Sequence, residues 1–308
     1  MPNTYKAKVL TTLEYRFGAL RKMEGSESLF VLGADAARIY FRYSKVHENR
    51  RTFFGLREVD LRQLEGHNAF VCLILDDNSP PIFVPYADFE DVFRRAQSAQ
   101  DGQYKVQLIR QREARELYVA RQGRFNVEGY VGYEGLERSL SAKRLRPAID
   151  LSHCQVQTLL GAIGHKKGFD VWIPACDIGT IDWSLTRPFP LRKTIPAGFE
   201  KVSTVLSEID VVWVNRGSEL IAGLFEVEHS TPIYSGLLRF NDMLLTQPNL
   251  SRFSIVSNDT RRALFAKQLR RPTFINSGLA EITSFLEYAN VVDWHSRLER
   301  EGEGVKTK

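Results

Sequence analysis

The sequence is poor in cysteine, with only Cys72, Cys154 and Cys176 among its 308 residues. These three lie far apart and lack the close spacing typical of structural zinc ligands. A disulfide framework would need an even and more closely spaced set. We therefore expect a protein of a reducing compartment, the cytoplasm, with neither a disulfide scaffold nor a structural zinc site.

The sequence also lacks long hydrophobic runs. No apolar stretch approaches the roughly 20 residues that a membrane helix needs. The N-terminal residues Met-Pro-Asn-Thr-Tyr-Lys lack the apolar core of a signal peptide. We expect no membrane partner. The hydrophobic content of 43% and charged content of 26% are ordinary for a globular protein, and the length allows two domains with separate cores.

What the sequence does have is an excess of positive charge, with a formal net charge of +5. This balance is compatible with a nucleic-acid partner but does not require one. Arginine predominates in the basic clusters, and it suits bidentate contact with phosphate. Solvated faces of a basic protein remain an equal alternative for each cluster. The clusters comprise Arg38, Arg42, Lys45, Arg50, Arg51 and Arg57, then residues 110–124, then residues 138–146.

The first basic cluster falls on two predicted strands, residues 38–43 and 52–56. Alternation places Arg38 and Arg42 with Tyr40 on one strand face. The polar segment 45–51 between the strands predicts a hairpin with a cationic tip, which can clamp phosphates. We expect DNA contacts from this hairpin, although an ordinary exposed hairpin is the alternative. The expected contacts are Arg38, Arg42, Lys45, Arg50 and Arg51.

The first part of the chain alternates short helical and strand patterns. Strand patterns at 105–109, 117–120 and 125–131 predict a three-stranded meander. We predict a mixed α/β domain over residues 1–135 that binds or selects DNA, a basic linker over 136–150, and a second domain over 151–300. Residues 301–308 are predicted to be a disordered tail.

In the second domain, two apolar runs, Ile209–Val214 and Leu220–Phe225, flank a tight connection and predict a hairpin. Acids interrupt this apolar pattern at Asp210, Glu226 and Glu228. Alternation puts Glu226 and Glu228 on one strand face, about 7 Å apart, and strand pairing can bring Asp210 beside them. Because packed carboxylates repel each other and hard oxygens suit Mg²⁺ or Mn²⁺, the hairpin is a candidate divalent-metal site.

At Ile209-Asp210 and Glu226-Val227-Glu228 the chain resembles the PD-(D/E)XK, or restriction-endonuclease-like, nuclease superfamily. The predicted order of elements, α-β-β-β-α-β from residue 153, is that of the superfamily core: a mixed central sheet flanked by helices. The last motif position is Glu228 rather than lysine. Some restriction enzymes of the superfamily use this E-x-E variant, so the departure leaves open whether the site is active.

A longer series of motifs resembles uncharacterised bacterial proteins of the restriction-endonuclease-like type. The resemblance covers about two fifths of the chain, residues 151–274, and is more specific than the short nuclease motif. The matching residues are His153 and Gln157, Asp170 to Trp172, Ile209 to Trp213, Phe225 to Arg239, Gln247 to Asn249, and Arg271 to Phe274.

The resemblance implies roles for particular residues. Asp210 and Glu226 would be metal ligands, and Glu228 would complete the coordination or act as a general base on water. Gln157, on the first helix, could orient that water. Ser235 and Arg239 open the helix after the site, where backbone N–H groups and a cation can hold a phosphate. Arg239 is also the partner that a purely structural role for the acids would need.

The implied function is a Mg²⁺-dependent DNA endonuclease of restriction or phage defence. Cutting both strands requires two active sites, so a homodimer is expected. A non-catalytic DNA-binding protein or regulator with the nuclease fold is one alternative. A nuclease acting on RNA or branched DNA is another.

Overall fold

A computed structural model describes residues 4–23, 26–33, 36–46, 51–110, 114–144, 149–250 and 252–304. The chain forms two compact units, Met1–Arg146 and Pro147–Lys308. Each unit combines helices with β-sheets, which confirms the predicted α/β class. None of the helices in these described ranges combines the length and apolar character that crossing a lipid bilayer requires.

The first unit contains two sheets. One is five-stranded with the order β1-β2-β3-β5-β6, and the other is four-stranded with the order β4-β7-β8-β9. The helices are α1 Thr4–Phe17, α2 Glu58–Arg62, α3 Glu90–Arg95 and α4 Glu134–Arg144, with 3₁₀ turns at Tyr86–Asp88 and Glu128–Tyr130. The strands are β1 Leu20–Lys22, β2 Leu29–Leu32, β3 Ala37–Ser44, β4 Arg51–Arg57, β5 Ala69–Leu75, β6 Ile82–Pro85, β7 Gln103–Arg110, β8 Arg115–Val119 and β9 Gly123–Asn126. The antiparallel series β7-β8-β9 confirms the predicted meander.

The predicted hairpin between residues 38–43 and 52–56 is wrong. Strand β3 pairs with β2 and β5, whereas β4 pairs with β7 in the other sheet. Phe54 and Leu56 of β4 are buried with Tyr40 of β3 in the core between the two sheets. Both edges of β3 are thus already paired, so β4 cannot join it and instead packs Phe54 and Leu56 against the face of the first sheet.

The helix α4 occupies most of the segment that the sequence predicts to be a linker. Its Leu136 is fully buried in the same core as Ile39 and Phe41 of the first sheet. The helix therefore belongs to the first unit, and the division between the units follows Arg146.

The second unit is a five-stranded sheet with the order β10-β11-β12-β13-β14. Its strands are β10 Phe169–Trp172, β11 Val211–Asn215, β12 Ile221–Val227, β13 Phe253–Ser257 and β14 Thr283–Glu287. Its helices are α5 His153–Lys166, α6 Ser203–Leu206, α7 Ile233–Thr246, α8 Arg262–Leu269, α9 Pro272–Asn276, α10 Leu279–Ile282 and α11 Tyr288–Gly304, with 3₁₀ turns at Ile178–Thr180, Glu200–Val202 and Asp259–Arg261.

The sheet of the second unit is mixed. Strands β10, β11 and β12 are antiparallel neighbours, whereas β12, β13 and β14 run parallel. The order from α5 to β13 agrees with the predicted α-β-β-β-α-β series. Residues 285–287 form the end of β14, directly before helix α11. Phe285 and Leu286 are buried in different cores, so the segment follows the two-residue period of a strand.

Two helical layers cover the faces of this sheet. Val211 and Trp213 of β11 pack in one core with α5 and α11, and Val212 and Val214 pack in another with α7. Burial on both faces explains the continuous apolar run of this strand. The last helix, α11, extends to Gly304, into the segment that the sequence predicts to be a tail, while residues 305–308 lie outside the described residues.

Helix α5 approaches the sheet closely at Gly164. A Cβ atom at this position would lie 2.4 Å from Nε1 of Trp213. That nitrogen donates a hydrogen bond to the carbonyl of Leu160 at 3.1 Å, so the indole cannot shift without losing the bond. The glycine is therefore required by packing between helix and sheet.

We predict that Gly164→Ala destabilises the protein by about 1–3 kcal/mol, the usual cost of overpacking a core. Thermal or urea denaturation would measure the change in unfolding free energy. The matched control is Gly179→Ala in the same unit, where an added Cβ meets no atom within 4 Å. Equal stability of the two variants would contradict the close packing of α5 on Trp213.

Candidate functional site

The three acids of the predicted hairpin meet where β11 begins and β12 ends. Asp210 directly precedes β11, and the register pairs Val211 with Phe225. The Oδ2 atom of Asp210 accepts a hydrogen bond from the backbone N–H of Val227 at 2.6 Å. Val227 lies between Glu226 and Glu228 in the sequence, so strand pairing brings Asp210 to both glutamates.

Glu226 and Glu228 point toward helix α7 and are almost completely buried, with exposures of 0% and 1%. A Cβ atom at Gly236 of α7 would lie 2.6 Å from Oε1 of Glu228 and 3.3 Å from Cβ of Glu226. The lack of a side chain at Gly236 therefore lets the helix approach the acids. Glu226 and Glu228 share one face, as the alternation predicts.

Glu226 is held by Arg239 of α7. The guanidinium donates through Nε to Oε1 and through Nη2 to Oε2, both at 2.7 Å. Burial, with smaller contributions from the charges of Asp210 and Glu228, raises the pKa of Glu226 to about 8, while Arg239 opposes this shift. Hydrogen bonding to Glu226 in turn raises the pKa of Arg239. The ion pair offsets part of the cost of placing a carboxylate inside the protein.

Glu228 has one satisfied and one unsatisfied oxygen. Its Oε2 accepts a hydrogen bond from the hydroxyl of Thr231, whereas its Oε1 is buried with no hydrogen-bond partner. Burial raises the pKa of Glu228. Arg261 braces this segment by donating to the backbone carbonyls of Glu228 and His229 at 2.6 and 3.0 Å. An unpartnered buried oxygen is costly and points to a missing donor or cation.

Helix α5 contributes two residues to the site. Nε2 of His153 lies 3.2 Å from Oδ1 of Asp210, and this hydrogen bond raises the pKa of His153. Gln157 is completely buried. Its amide donates to the backbone carbonyl of Asp210 at 2.9 Å and to Oδ2 of Asp177 at 3.0 Å, and its Oε1 has no partner. Gln157 thus positions Asp210 through the backbone.

The carboxylates of the site are suitable ligands for a divalent cation, but hydrogen bonds within the protein already occupy most of their oxygens. Five of the six oxygens of Asp210, Glu226 and Glu228 accept hydrogen bonds, and Oε1 of Glu228 does not. Across the described ranges, no group of three or more His, Cys, Asp or Glu side chains is placed to hold a metal ion. Carboxylates fit Mg²⁺ or Mn²⁺, and Arg239 occupies both oxygens of Glu226 where such an ion would need one.

The two residues predicted to hold a phosphate at the start of α7 differ in availability. The hydroxyl of Ser235 donates to the carbonyl of Pro232 at 2.6 Å, within its own helix turn. Arg239 retains a side-chain exposure of 26% and lies 4.0 Å from a carboxylate oxygen of the exposed Glu208. Its guanidinium therefore extends from the buried acid to the protein surface.

Three residues at the site were absent from the predicted set. His153 lies in the motif series that the sequence resembles, and its position one turn before Gln157 was the available signal. Thr231 follows Glu228 by three residues in the same segment. Arg261 contacts this segment from a distant part of the chain, and no local pattern indicated it.

In the first unit, the residues predicted to contact DNA differ in how exposed their side chains are. Arg38 is only 4% exposed and donates to the carbonyl of Gln63 at 2.6 Å. The DNA contact predicted for Arg38 is therefore wrong, because its side chain is buried against the segment that follows α2. Lys45 is exposed. Arg50 and the side chain of Arg51 lie outside the described residues.

Arg42 lines a surface cleft of about 640 Å³ together with Lys22, Arg57 and Ser26. The Arg42 guanidinium lies 5.6 Å from the ring centre of the buried Tyr40, a cation–π arrangement. Asp60 fixes Arg57 with two hydrogen bonds of 2.7 and 2.9 Å. The lining also includes Glu27, which pairs with Lys22 at 2.6 Å. Arg42 is therefore the cation of the cleft best placed to accept an anionic group.

Comparison with known proteins places a relative across the second unit. Residues 137–301 match the family model described as the Type II restriction enzyme NmeDI C-terminal domain. The Type II restriction enzyme NmeDI of Neisseria meningitidis serogroup C is 28% identical over 177 residues, which cover 54% of this chain and 48% of that protein. The chain thus spans about half the length of this curated relative. No solved structure matches the chain.

The contact between His153 and Asp210 gives a testable titration. Because Asp210 raises the pKa of His153 above 6.5, we predict that Asp210→Asn lowers it, as NMR of the imidazole protons would show. The pair stabilises the fold fully below the unfolded value near 6.5, and this contribution is lost as pH rises through the folded pKa.

His165 is the internal control for this titration. Burial and the charge of Arg216 lower its pKa, so Asp210→Asn should leave it unchanged. An unchanged pKa of His153 in the variant would show that the two side chains do not interact.

Proposed function

Because the chain belongs to the family of the NmeDI C-terminal domain over residues 137–301, we propose that it is a DNA endonuclease that hydrolyses phosphodiester bonds with Mg²⁺ or Mn²⁺. The observation that carries the proposal is the convergence of Asp210, Glu226 and Glu228 at one end of β11 and β12. These acids lie within the matched region. The name of the relative, a restriction enzyme, supports restriction or phage defence as the setting.

We propose Asp210, Glu226 and Glu228 as the residues that hold the metal ion, in the manner of the E-x-E variant of the PD-(D/E)XK superfamily. Held by these acids, a divalent ion would supply positive charge to the phosphate and would lower the pKa of a water molecule. The orphaned Oε1 of Glu228 supports this assignment, since a buried oxygen without a donor fits a cation.

The protein groups around the metal site would orient the attacking water and accept its proton. If Glu228 does not coordinate the ion, the alternative role is that of the general base that accepts a proton from the attacking water, and its pKa, raised by burial, suits that role. Gln157 holds the backbone of Asp210 and so fixes the direction of that carboxylate. Its free Oε1 can accept a hydrogen bond from the same water.

We further propose that the active form is a homodimer, since one such site per chain can cut one strand at a time. The partner is DNA, and the cleft at Arg42 with the exposed Lys45 is the proposed contact surface of the first unit. Arginine and lysine side chains there would bind the backbone without reading base identity.

We expect Asp210→Ala and Glu226→Gln to reduce plasmid cleavage by about a hundredfold or more, since each loses a charge that stabilises the transition state by several kcal/mol. DNA binding should persist. Asp242→Ala, which removes an exposed acid of α7, is the control that should retain cleavage. Agarose-gel assays of nicking and linearisation with Mg²⁺ and Mn²⁺ would measure the rates.

The bidentate contact between Arg239 and Glu226 favours one second candidate, a DNA-binding protein that keeps the fold without catalysis. In that case the purified wild-type chain would bind DNA and leave plasmid intact with every divalent metal. If the wild type cleaves plasmid and both acid variants cleave it at the same rate, the site assignment is refuted.

Arg42 offers a test of DNA contact in the first unit. We expect Arg42→Ala to weaken binding to duplexes of any sequence. It should also reduce the slope of log K, the binding constant, against log salt concentration by about the amount that one phosphate contact contributes. Fluorescence anisotropy over a salt series would measure both. Arg124→Ala removes an exposed arginine that pairs with Glu116 at 3.6 Å and should leave the slope unchanged. Equal slopes for wild type and Arg42→Ala would exclude the cleft as a phosphate site.

A further inference from the structure

The ion pair between Arg239 and Glu226 sets a condition on metal binding. Both oxygens of Glu226 are bonded to one guanidinium at 2.7 Å, and the carboxylate is completely buried. A divalent ion and this guanidinium would compete for the same two oxygens. Repulsion between the two cations in a poorly solvated pocket would reinforce the competition.

The position of Arg239 gives it a second possible partner. Its side chain is 26% exposed, and its Nη1 lies 4.0 Å from Glu208, which has an exposure of 67%. The outer edge of the guanidinium therefore faces a solvated region. Arginine binds a phosphate with the same planar, two-bond geometry as a carboxylate, so a DNA phosphate reaching this edge offers an equivalent partner.

We propose that Arg239 couples DNA binding to metal binding. Without DNA it neutralises Glu226 and keeps the divalent ion out. When the DNA backbone reaches the site, Arg239 transfers from Glu226 to a phosphate, and Glu226 becomes free to bind the ion. The inference rests on the proposed function and adds to it the order of events: the nuclease centre is completed only on its substrate.

Neighbouring contacts support an exchange that is confined to one side chain. Asp210 is held independently by His153 and by the Val227 N–H. Glu228 is held by Thr231, and its segment by Arg261. Neither acid depends on Arg239 for a hydrogen bond, so movement of the guanidinium would leave the other two ligands in place. Of the three acids, only Glu226 has oxygens that are hydrogen-bonded to Arg239.

The test is direct binding of Mn²⁺ to the full chain, measured by electron paramagnetic resonance of the free ion, with and without a short DNA duplex. The wild type should bind Mn²⁺ weakly alone and more tightly with DNA. Arg239→Gln removes the competing charge, so without DNA its affinity for Mn²⁺ should rise by about tenfold, within the usual range for coupled sites. The additional effect of DNA should then shrink.

Two further variants make the result specific. Arg239→Lys keeps the charge without the two-bond geometry, is the milder change if Arg239→Gln folds poorly, and should tighten Mn²⁺ binding to a smaller extent. Arg216→Gln removes a positive charge of the same unit that contacts Asp170 and His165 and none of the three acids, and should change the affinity by less than about fivefold. Circular dichroism would verify that each variant is folded.

The proposal fails if both Arg239 variants bind Mn²⁺ no more tightly than the wild type without DNA, or if DNA leaves the wild-type affinity unchanged. Failure of the proposed function has a different signature. In that case Glu226→Gln would not change the affinity for Mn²⁺, whether Arg239 is present or substituted, and the wild type would not cleave DNA. A wild type that cleaves DNA and binds Mn²⁺ through Glu226, with no gain in the Arg239 variants, overturns the coupling alone.

Discussion

The buried carboxylate of Glu226 must have a positive partner, and the second unit is built to supply one. Moving an unpaired carboxylate into a protein interior costs several kcal/mol even after relaxation. Here two more acids, Asp210 and Glu228, raise that cost through repulsion. Arg239 provides the compensation from α7 by donating a hydrogen bond to each oxygen of Glu226. A metal ion could satisfy the same requirement, as could a proton, since burial raises the pKa of Glu226 to about 8.

The fold serves this requirement through backbone placement. Antiparallel pairing of β11 with β12 fixes Asp210 against the N–H of Val227. Gly236 lets α7 approach the acids, and Arg239 follows one turn later on the same helix. Because helix residues three apart share a face, the glycine that permits the approach and the arginine that uses it point at the same pair of glutamates.

Much of the second unit could be predicted from the sequence, because its signals are local. The helix His153–Lys166 begins at Ser152, whose side chain and that of Gln155 form a capping box. Continuous apolar runs located β11 and β12 with their acids. Other features depend on distant parts of the chain: Arg38 is buried against the segment at Gln63, and the bond from His153 to Asp210 joins residues that no short pattern connects.

In the nuclease motif that this segment resembles, lysine is the usual third residue, whereas this chain has Glu228 at that position. A site with lysine carries its own cation, whereas three acids carry none and must obtain positive charge from elsewhere. Arg239 fills this need from α7. A buried ion pair can be neutral or unfavourable compared with apolar packing, so stability alone does not account for retaining it. A cation that can be exchanged for another gives the pair a use that a permanent structural bridge would lack.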